Sequence, residues 1–389
     1  MLIKTEFDMK EKAFRRKILF VTGTRADYGK LEPLALEAKA AEFDVTFFVT
    51  GMHMMAKYGL TKAEVHHGNR FNVVEFINQR DGDPQDTILA KTVMGFSDLL
   101  QEMKPDLVVL HGDRVEALAC ALVCAMNYVP CAHVEGGEVS GTIDEIFRHC
   151  NTKLSTIHLV SSEAARQRVL RLGETPESIE VLGSPELDIH GRPSGVSLSE
   201  VLARYEIVSS DYGICVFHPV TSEVASMGVQ ARALYESLID SGRYFVVILP
   251  NNDPGSEKIT REIEKLPKDK FRVLPSMRFH YFSELMKNAQ VMIGNSSAGV
   301  REAPFMGIPS LDLGTRQSNR SFAPSVTKAS CLEVEVISDF LNKEWGKRYS
   351  PSQEFGHGFA AKKFRELLLR PTFWGRPMQK YFENESIDE

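Results

Sequence analysis

The chain is first defined by what it lacks. No apolar run in its 389 residues approaches the roughly 20 residues that a membrane-spanning helix needs. The N-terminal stretch MLIKTEFDMKEKAFRRK has acidic residues and no apolar centre, so it is not a secretory signal. Residues 1–16 read as a leader before the first strand, and Asn384–Glu389 as a disordered tail. Six cysteines occur (Cys120, Cys124, Cys131, Cys150, Cys215 and Cys331) and none forms a CxxC pair. Zinc binding is therefore not expected, and Cys120 and Cys124, four apart on a predicted helix, read as core packing. This cysteine usage suits a reduced, cytoplasmic setting. Neither GxGxxG nor GxxxxGK[ST] is present, which argues against a dinucleotide coenzyme and against a phosphate-cleaving NTPase of the P-loop type. The 46 basic and 52 acidic residues give a net charge of −6 with no block of one sign. That excludes a nucleic-acid scaffold, and an anionic ligand would need a local basic site.

What is present is ordinary for a soluble globular protein: 43% hydrophobic and 25% charged residues. The length exceeds one core of typical size, so two domains are expected. Apolar strands alternate with helical periodicity. Strands are predicted at Lys17–Thr22, Val45–Thr50, 106–111, 130–135 and Leu154–Val160. Helices are predicted at Gly29–Ala41, Asp86–Met103, 114–127 and Glu163–Leu172. The turn-rich stretch Ile189–Ser197 reads as a linker. A second series follows, with strands at Gly213–Phe217, Phe245–Leu249, Val291–Gly294 and, as the last, Ser310–Leu313. The expected fold is α/β: two Rossmann-like doubly wound domains, 17–190 and 198–359, facing across a cleft in a GT-B-like arrangement. A C-terminal helix at about 360–380 is expected to pack back on the first domain. Such a cleft suits a ligand with two dissimilar halves, such as a nucleotide joined to a sugar.

The chemistry-bearing residues collect at the carboxyl ends of predicted strands, where open α/β sheets bind ligands. His111 to His149 places His111, Asp113, Arg114, Glu116, His133, Glu135, Glu138, Asp144, Arg148 and His149 in one strand-helix-strand-loop unit. Thr22–Gly29 is a strand-to-helix turn in which Gly23 permits close approach and Arg25 can fork onto a phosphate. Gly294–Glu302 repeats that logic: Ser296 and Ser297 at a predicted helix start for a diphosphate, and Glu302 one turn on for ribose hydroxyls. The same residues also suit a plain capping motif. His218 ends the first strand of the second series. Arg278 and Arg316 are candidate phosphate or uracil contacts.

Taken in order, TGTRADYGKLEPL, HGDR, HVEGGEVSGTIDEIFRH, TKLS-x-IHLV, FHPVTSE, PNND, GNSSAGVREAP and LGTRQSNR resemble the hydrolysing UDP-N-acetylglucosamine 2-epimerases. That family comprises the bacterial sialic-acid-pathway enzymes and the epimerase half of the bifunctional animal enzyme. The likeness runs from about Lys17 to Phe364. It implies UDP in the cleft, no metal or redox cofactor, and conversion of UDP-GlcNAc and water to N-acetylmannosamine and UDP, through elimination to a glycal and its hydration. By resemblance Asp113, Glu135 and Asp144 are the acid/base carboxylates, with burial and mutual repulsion expected to raise a pKa among them. His218 lies near the leaving diphosphate, and Arg148 and His149 organise the catalytic loop. Arg25, Arg114, Ser296 and Ser297 contact the diphosphate and Glu302 the ribose. His53, His111, His133, Asn252, Asp253, Arg278 and Arg316 complete the candidate binding set. One departure is visible: Glu145 stands where relatives often carry a second Asp.

The partner implied is a UDP-sugar, with no nucleic acid and no membrane, and a homodimer or homotetramer is expected. Three rivals share these features. One is a hydrolysing 2-epimerase for UDP-N,N'-diacetylbacillosamine, in legionaminic acid synthesis. Another is a glycosyltransferase of the same fold, which would not need the second and third carboxylates. The last is a non-catalytic nucleotide-sugar sensor, which would tolerate losing Asp113, Glu135 or Asp144.

Overall fold

The computed structural model describes residues 15–140, 144–251 and 253–381. Asn252, most of the leader and the tail Asn384–Glu389 lie outside the described residues. The chain forms two parallel sheets. The first contains β1 (Lys17–Thr22), β2 (Asp44–Val49), β3 (Asn72–Glu75), β4 (Leu107–His111), β5 (Cys131–Val134), β6 (Ile157–Val160) and β7 (Ile179–Val181), in the order β3-β2-β1-β4-β5-β6-β7. The second contains β8 (Gly213–Val216), β9 (Phe245–Ile248), β10 (Phe271–Leu274), β11 (Met292–Gly294), β12 (Ser310–Leu313) and β13 (Val326–Ala329), in the order β10-β9-β8-β11-β12-β13. This is the expected two-sheet, GT-B-like α/β architecture.

Strands with helices on both faces must be apolar on both. β1 shows how the sequence does it. Ile18 and Phe20 point into one core with Phe47 and Val109, under the helix Arg25–Ala40. Leu19 and Val21 point into the other with Phe48, Val108 and Leu110, against Phe96 and Cys120 of the helices Gln85–Met103 and Val115–Met126. The second sheet divides likewise, with Cys215 and Val247 on one face and Ile214 and Val246 on the other. Cys120 and Cys124 are buried core residues.

Strand order reverses between β1 and β4 in the first sheet and between β8 and β11 in the second. The crevices at these reversals collect the loops that follow β1, β4, β8 and β11. Gly294 ends β11 at φ 131°, and a Cβ there would lie 2.0 Å from the Val216 carbonyl oxygen. Only glycine lets the chain turn off β11 that close to β8.

Several expectations need correction. Leu154 ends a helix, Asp144–Leu154, and the strand begins only at Ile157. Ser310–Leu313 is not the last strand, because β13 follows it. The four strands the sequence reading did not find, β3, β7, β10 and β13, are the four sheet edges. Edge strands have a solvated side, so polar residues such as Asn72, Glu180, Arg272 and Lys328 interrupt the apolar run that identifies an inner strand. The C-terminal helix spans Ala360–Leu368, not 360–380. Pro371 holds the preceding Arg370 in extended backbone at ψ 122° and stops the helix. Among the described residues, no helix is long and apolar enough to cross a membrane.

The helix Ala360–Leu368 returns to the first sheet. The amides of Ala360 and Ala361 donate to the Asp188 carboxylate at 2.8 and 2.7 Å, and Ala361, Phe364, Leu367 and Leu368 join the core of Phe20 and Phe47. Phe364 is fully buried, whereas Phe359 just outside the helix is exposed. Phe364→Ala should therefore cost about 3–5 kcal/mol, read as a lowered urea midpoint. Phe359→Ala should leave the midpoint nearly unchanged; equal losses in the two variants would remove this helix from the first core.

Candidate active site

The loop after β4 carries His111, Gly112, Asp113 and Arg114. Its backbone is fixed from behind: the Gly112 carbonyl accepts from His133 Nε2 at 2.7 Å and from Asn151 Nδ2 at 3.1 Å. His111 lies between two carboxylates, with Nδ1 2.9 Å from Asp27 Oδ1 and Nε2 3.0 Å from Glu135 Oε2. Burial and the nearby Lys30 oppose protonation of this ring, but the hydrogen bonds of Asp27 and Glu135 outweigh them and hold its pKa above 6.5.

Glu135 leaves β5 at φ 62°, a left-handed conformation uncommon outside glycine. Its surroundings over-determine it. Oε2 meets Lys30 Nζ at 2.9 Å and Arg301 Nη1 at 3.0 Å, and Oε1 accepts from the Ser184 hydroxyl. Arg301 is fully buried and also meets Glu186 at 2.5 Å, while Lys30 meets Glu186 at 2.8 Å. Burial would raise the Glu135 pKa, but Arg301, Lys30 and His111 drive it well below the usual carboxylate value.

Asp113 pairs with Arg148 Nη2. Arg148 also donates from Nη1 to the Glu138 carbonyl at 3.1 Å and to Ser140 Oγ at 3.3 Å, tying three parts of the loop together. Burial disfavours the Asp113 carboxylate, but Arg148, His111 and Arg320 lower its pKa. The expectation that repulsion raises the carboxylates is thus reversed for Asp113 and Glu135: each sits among more cations than anions. Asp144 opens the helix that carries Arg148, within the field of Arg114 and Arg316. Arg114 stands among Glu116, Asp27, Asp144 and Asp253, which together outweigh the cost of burying its charge. Glu145, the departure noted above, accepts from the Ser140 amide at 2.6 Å and lies 3.5 Å from His149 on its own helix.

The second sheet presents a different surface. Asn295 staples its switch point: Oδ1 accepts from the His218 amide at 2.7 Å and Nδ2 donates to the His218 carbonyl at 2.8 Å. The Asn251 amide donates to His218 Nδ1 at 3.1 Å, so the ring proton sits on Nε2. Burial and then Arg316 lower the His218 pKa to about 3, which leaves the ring neutral. Arg316 donates to the Asn295 carbonyl at 3.2 Å and feels Asp253, Asp144 and Asp113. Arg320 reaches Glu138 at 3.5 Å.

Beside these groups a cavity of about 920 Å³ opens between the two sheets. Arg25, Lys30, Arg278, Phe279, Ser296 and Glu302 are among its lining residues, and Ser297 joins them. Arg25 does not offer a free fork: its Nε and Nη2 engage Glu64 at 3.0 and 2.5 Å, and Nη1 meets Ser276 across the cleft at 2.8 Å. Ser296 caps a single turn, Ser297–Val300, so its dipole is small and individual N–H groups must hold any phosphate there. Arg278 is exposed at the start of the helix Phe279–Asn288.

Two expected contacts are corrected. His53 is fully buried, with Nε2 2.9 Å from Thr22 Oγ1 and Nδ1 2.7 Å from Thr61 Oγ1. His133 is equally buried and braces Gly112. Burial lowers their pKa values to about 4 and about 3. Both are neutral core histidines with no side-chain surface for a ligand. Conversely, Asp27, Lys30, Arg301 and Arg320 belong to the cluster although the sequence reading did not single them out, and Glu138, which it named without a role, joins them. All of these stand inside motifs it quoted. Glu186, in GSPELDIHG, carried no such signal.

Two doubly wound sheets with facing switch points place the chain in the GT-B-like class of two-domain α/β proteins. The profile of the family described as UDP-N-acetylglucosamine 2-epimerase matches residues 35–369. The chain belongs to that family. A UDP-N-acetylglucosamine 2-epimerase of Neisseria meningitidis serogroup B is 42% identical over 94% of this chain and 98% of its own. The hydrolysing UDP-N,N'-diacetylbacillosamine 2-epimerase of Legionella pneumophila is 33% identical over 91% and 95%. The fold superposes on a Neisseria meningitidis UDP-GlcNAc 2-epimerase bound to UDP-GlcNAc with a TM-score of 0.77, at 18% identity over 91% of this chain and 99% of the other.

The four histidines offer a direct test. His111 should be an imidazolium at pH 6.5, while His53, His133 and His218 stay neutral down to pH 5, as read by ring-nitrogen NMR. Because its folded pKa is raised, the stability His111 contributes is fully present below the unfolded value of about 6.5 and is lost as pH rises through the folded value. Asp27→Asn should move the His111 titration downward. A His111 ring already neutral at pH 6 would refute the two-carboxylate account.

Proposed function

We propose that the protein is a hydrolysing UDP-GlcNAc 2-epimerase, converting UDP-GlcNAc and water to N-acetylmannosamine and UDP. The carrying observation is the pairing of opposite electrostatics: ionised Asp113 and Glu135 around a His111 whose pKa is raised on one side, and Arg316 with a neutral His218 on the other. The names of relatives support the hydrolysing branch. Those from Legionella pneumophila and Campylobacter jejuni, at 33% and 29% identity, are both called hydrolyzing.

Inverting C2 requires loss of its proton. Asp113 is ionised at neutral pH and can accept one, but its lowered pKa makes it a weak base. The reaction is therefore led by departure of the diphosphate. As the C1–O bond breaks, its electron pair leaves with UDP, and the electron-deficient C1 acidifies the C2–H. Arg114 and Arg316 offset the developing charge, and His218 Nε2 donates a hydrogen bond without giving up its proton. The C2–H electrons then form the double bond of the glycal. Water returns a hydroxyl to C1 and a proton to the opposite face of C2. Asp144 and the linked pair Glu135–His111 are the proton sources for this second stage. Ser296, Ser297 and Glu302 hold the nucleotide in the cavity beside them.

Turnover in D2O should place deuterium at C2 of N-acetylmannosamine, with free UDP as co-product, both visible by NMR. Asp113→Asn, Glu135→Gln and Asp144→Asn should each lower kcat by about 10²–10⁴-fold while UDP still binds. Accumulation of UDP-N-acetylmannosamine would place the enzyme in the non-hydrolysing branch. Faster turnover of UDP-N,N'-diacetylbacillosamine would reassign the sugar.

A further inference from the structure

Glu302 lines the cavity with its carboxylate largely buried. A second residue decides how that carboxylate is presented. His190 lies in the segment joining the two sheets and is itself buried. Its Nε2 lies 3.0 Å from Glu302 Oε1, and its Nδ1 lies 2.8 Å from Ser283 Oγ. A carboxylate only accepts, so Nε2 carries a proton, while Nδ1 pairs with the Ser283 hydroxyl. The ring packs against Phe279, another lining residue, with centroids 5.1 Å apart. Hydrogen bonds at both ring nitrogens and a packed face leave the imidazole one orientation.

We propose that His190 is the positioning residue that holds Glu302 for the ribose hydroxyls of the nucleotide. The proposal rests on the nucleotide-sugar reading above. A glutamate in a cleft has several rotamers, and a ligand must order it on binding. Here the chain Ser283–His190–Glu302 orders it beforehand. One oxygen is committed to His190, and the carboxylate plane is set toward the cavity. Ordering the acceptor in advance lowers the cost of binding a ligand that has hydroxyls there and does nothing for one that lacks them. His190 thus acts through Glu302 and tunes selectivity for the sugar of the nucleoside.

The test compares UDP with 2',3'-dideoxy-UDP by calorimetric titration of the full-length protein. The wild type should prefer UDP by roughly tenfold or more, the worth of a hydrogen bond to a charged group. Asparagine can still meet Ser283 but is too short to reach Glu302. His190→Asn should lose most of that preference through weaker UDP binding, with dideoxy-UDP affinity unchanged. Glutamine places its amide N–H near Nε2, so His190→Gln should retain the preference. Ser283→Ala should reduce it part way and serves as the milder variant should His190→Asn fold poorly. A purely structural role would weaken both ligands equally in His190→Asn and would overturn the proposal, as would full preference in His190→Asn and Ser283→Ala. A wild type that binds UDP without discriminating would instead overturn the assignment of Glu302 to the ribose. A wild type that binds neither ligand would overturn the nucleotide-sugar reading itself.

Discussion

The structure depends most on one buried guanidinium. Arg301 rises from the turn after β11 and inserts between Glu135 and Glu186, with Lys30 closing the other side. Burying such charges is costly, and each is tolerated only because the others are present; removing one partner of a buried pair typically costs about 3–5 kcal/mol. The network compels a relative placement of the two sheets, since Glu135, Glu186 and Lys30 come from the first and Arg301 from the second. It also holds the Glu135 backbone at its left-handed φ. From there the constraint passes to His111, and through His111 to Asp27. Arg320 and Glu138 repeat the device at the other end of the EGGE turn. Each glutamate of that turn is met by an arginine from the opposite sheet.

A division of labour follows. The first sheet supplies carboxylates that remain ionised despite burial, and one imidazole whose pKa two of them raise. The second supplies Arg316, the Ser296–Ser297 turn and a histidine kept neutral by burial and a neighbouring arginine. Carboxylates thus concentrate on the first surface and hydrogen-bond donors on the second, with Arg114 the cation that the first sheet adds beside Arg316. Neither half has the whole set, and Arg301 ties the two together through Glu135 and Glu186.

Much of this was legible in the sequence. The inner strands announce themselves as unbroken apolar runs, and the polar residues directly after them mark both switch points: Thr22–Arg25, His111–Arg114 and Asn295–Ser297. The four edge strands were illegible because solvated edges admit polar residues and erase that signal. The partners of Glu135 were illegible for another reason. Lys30 and Arg301 are far from it in the chain, and nothing in local pattern says which buried cation meets which buried anion. The sign of the carboxylate shifts failed with them. Carboxylates considered alone repel one another, but for Asp113 and Glu135 the addition of Arg148, Lys30 and Arg301 reverses the balance.

The histidines show why residue type alone cannot define such a site. His53, His111, His133 and His218 all fall at strand ends or in the loops that follow, and all read as ligand contacts. Burial acts on each in the same direction, against charge. What differs is the partner. His53 meets two hydroxyls, His133 a hydroxyl and a carbonyl, and His218 a backbone amide with an arginine near by; none of these offsets the loss of water, and all three remain neutral. His111 meets two carboxylates, and the balance turns. Of the two neutral core rings, His133 still serves the site by gripping Gly112, which fixes where Asp113 can stand. A position in the sequence thus nominates a histidine, but the charge of its nearest neighbours decides whether it carries a proton, donates a hydrogen bond or braces a loop.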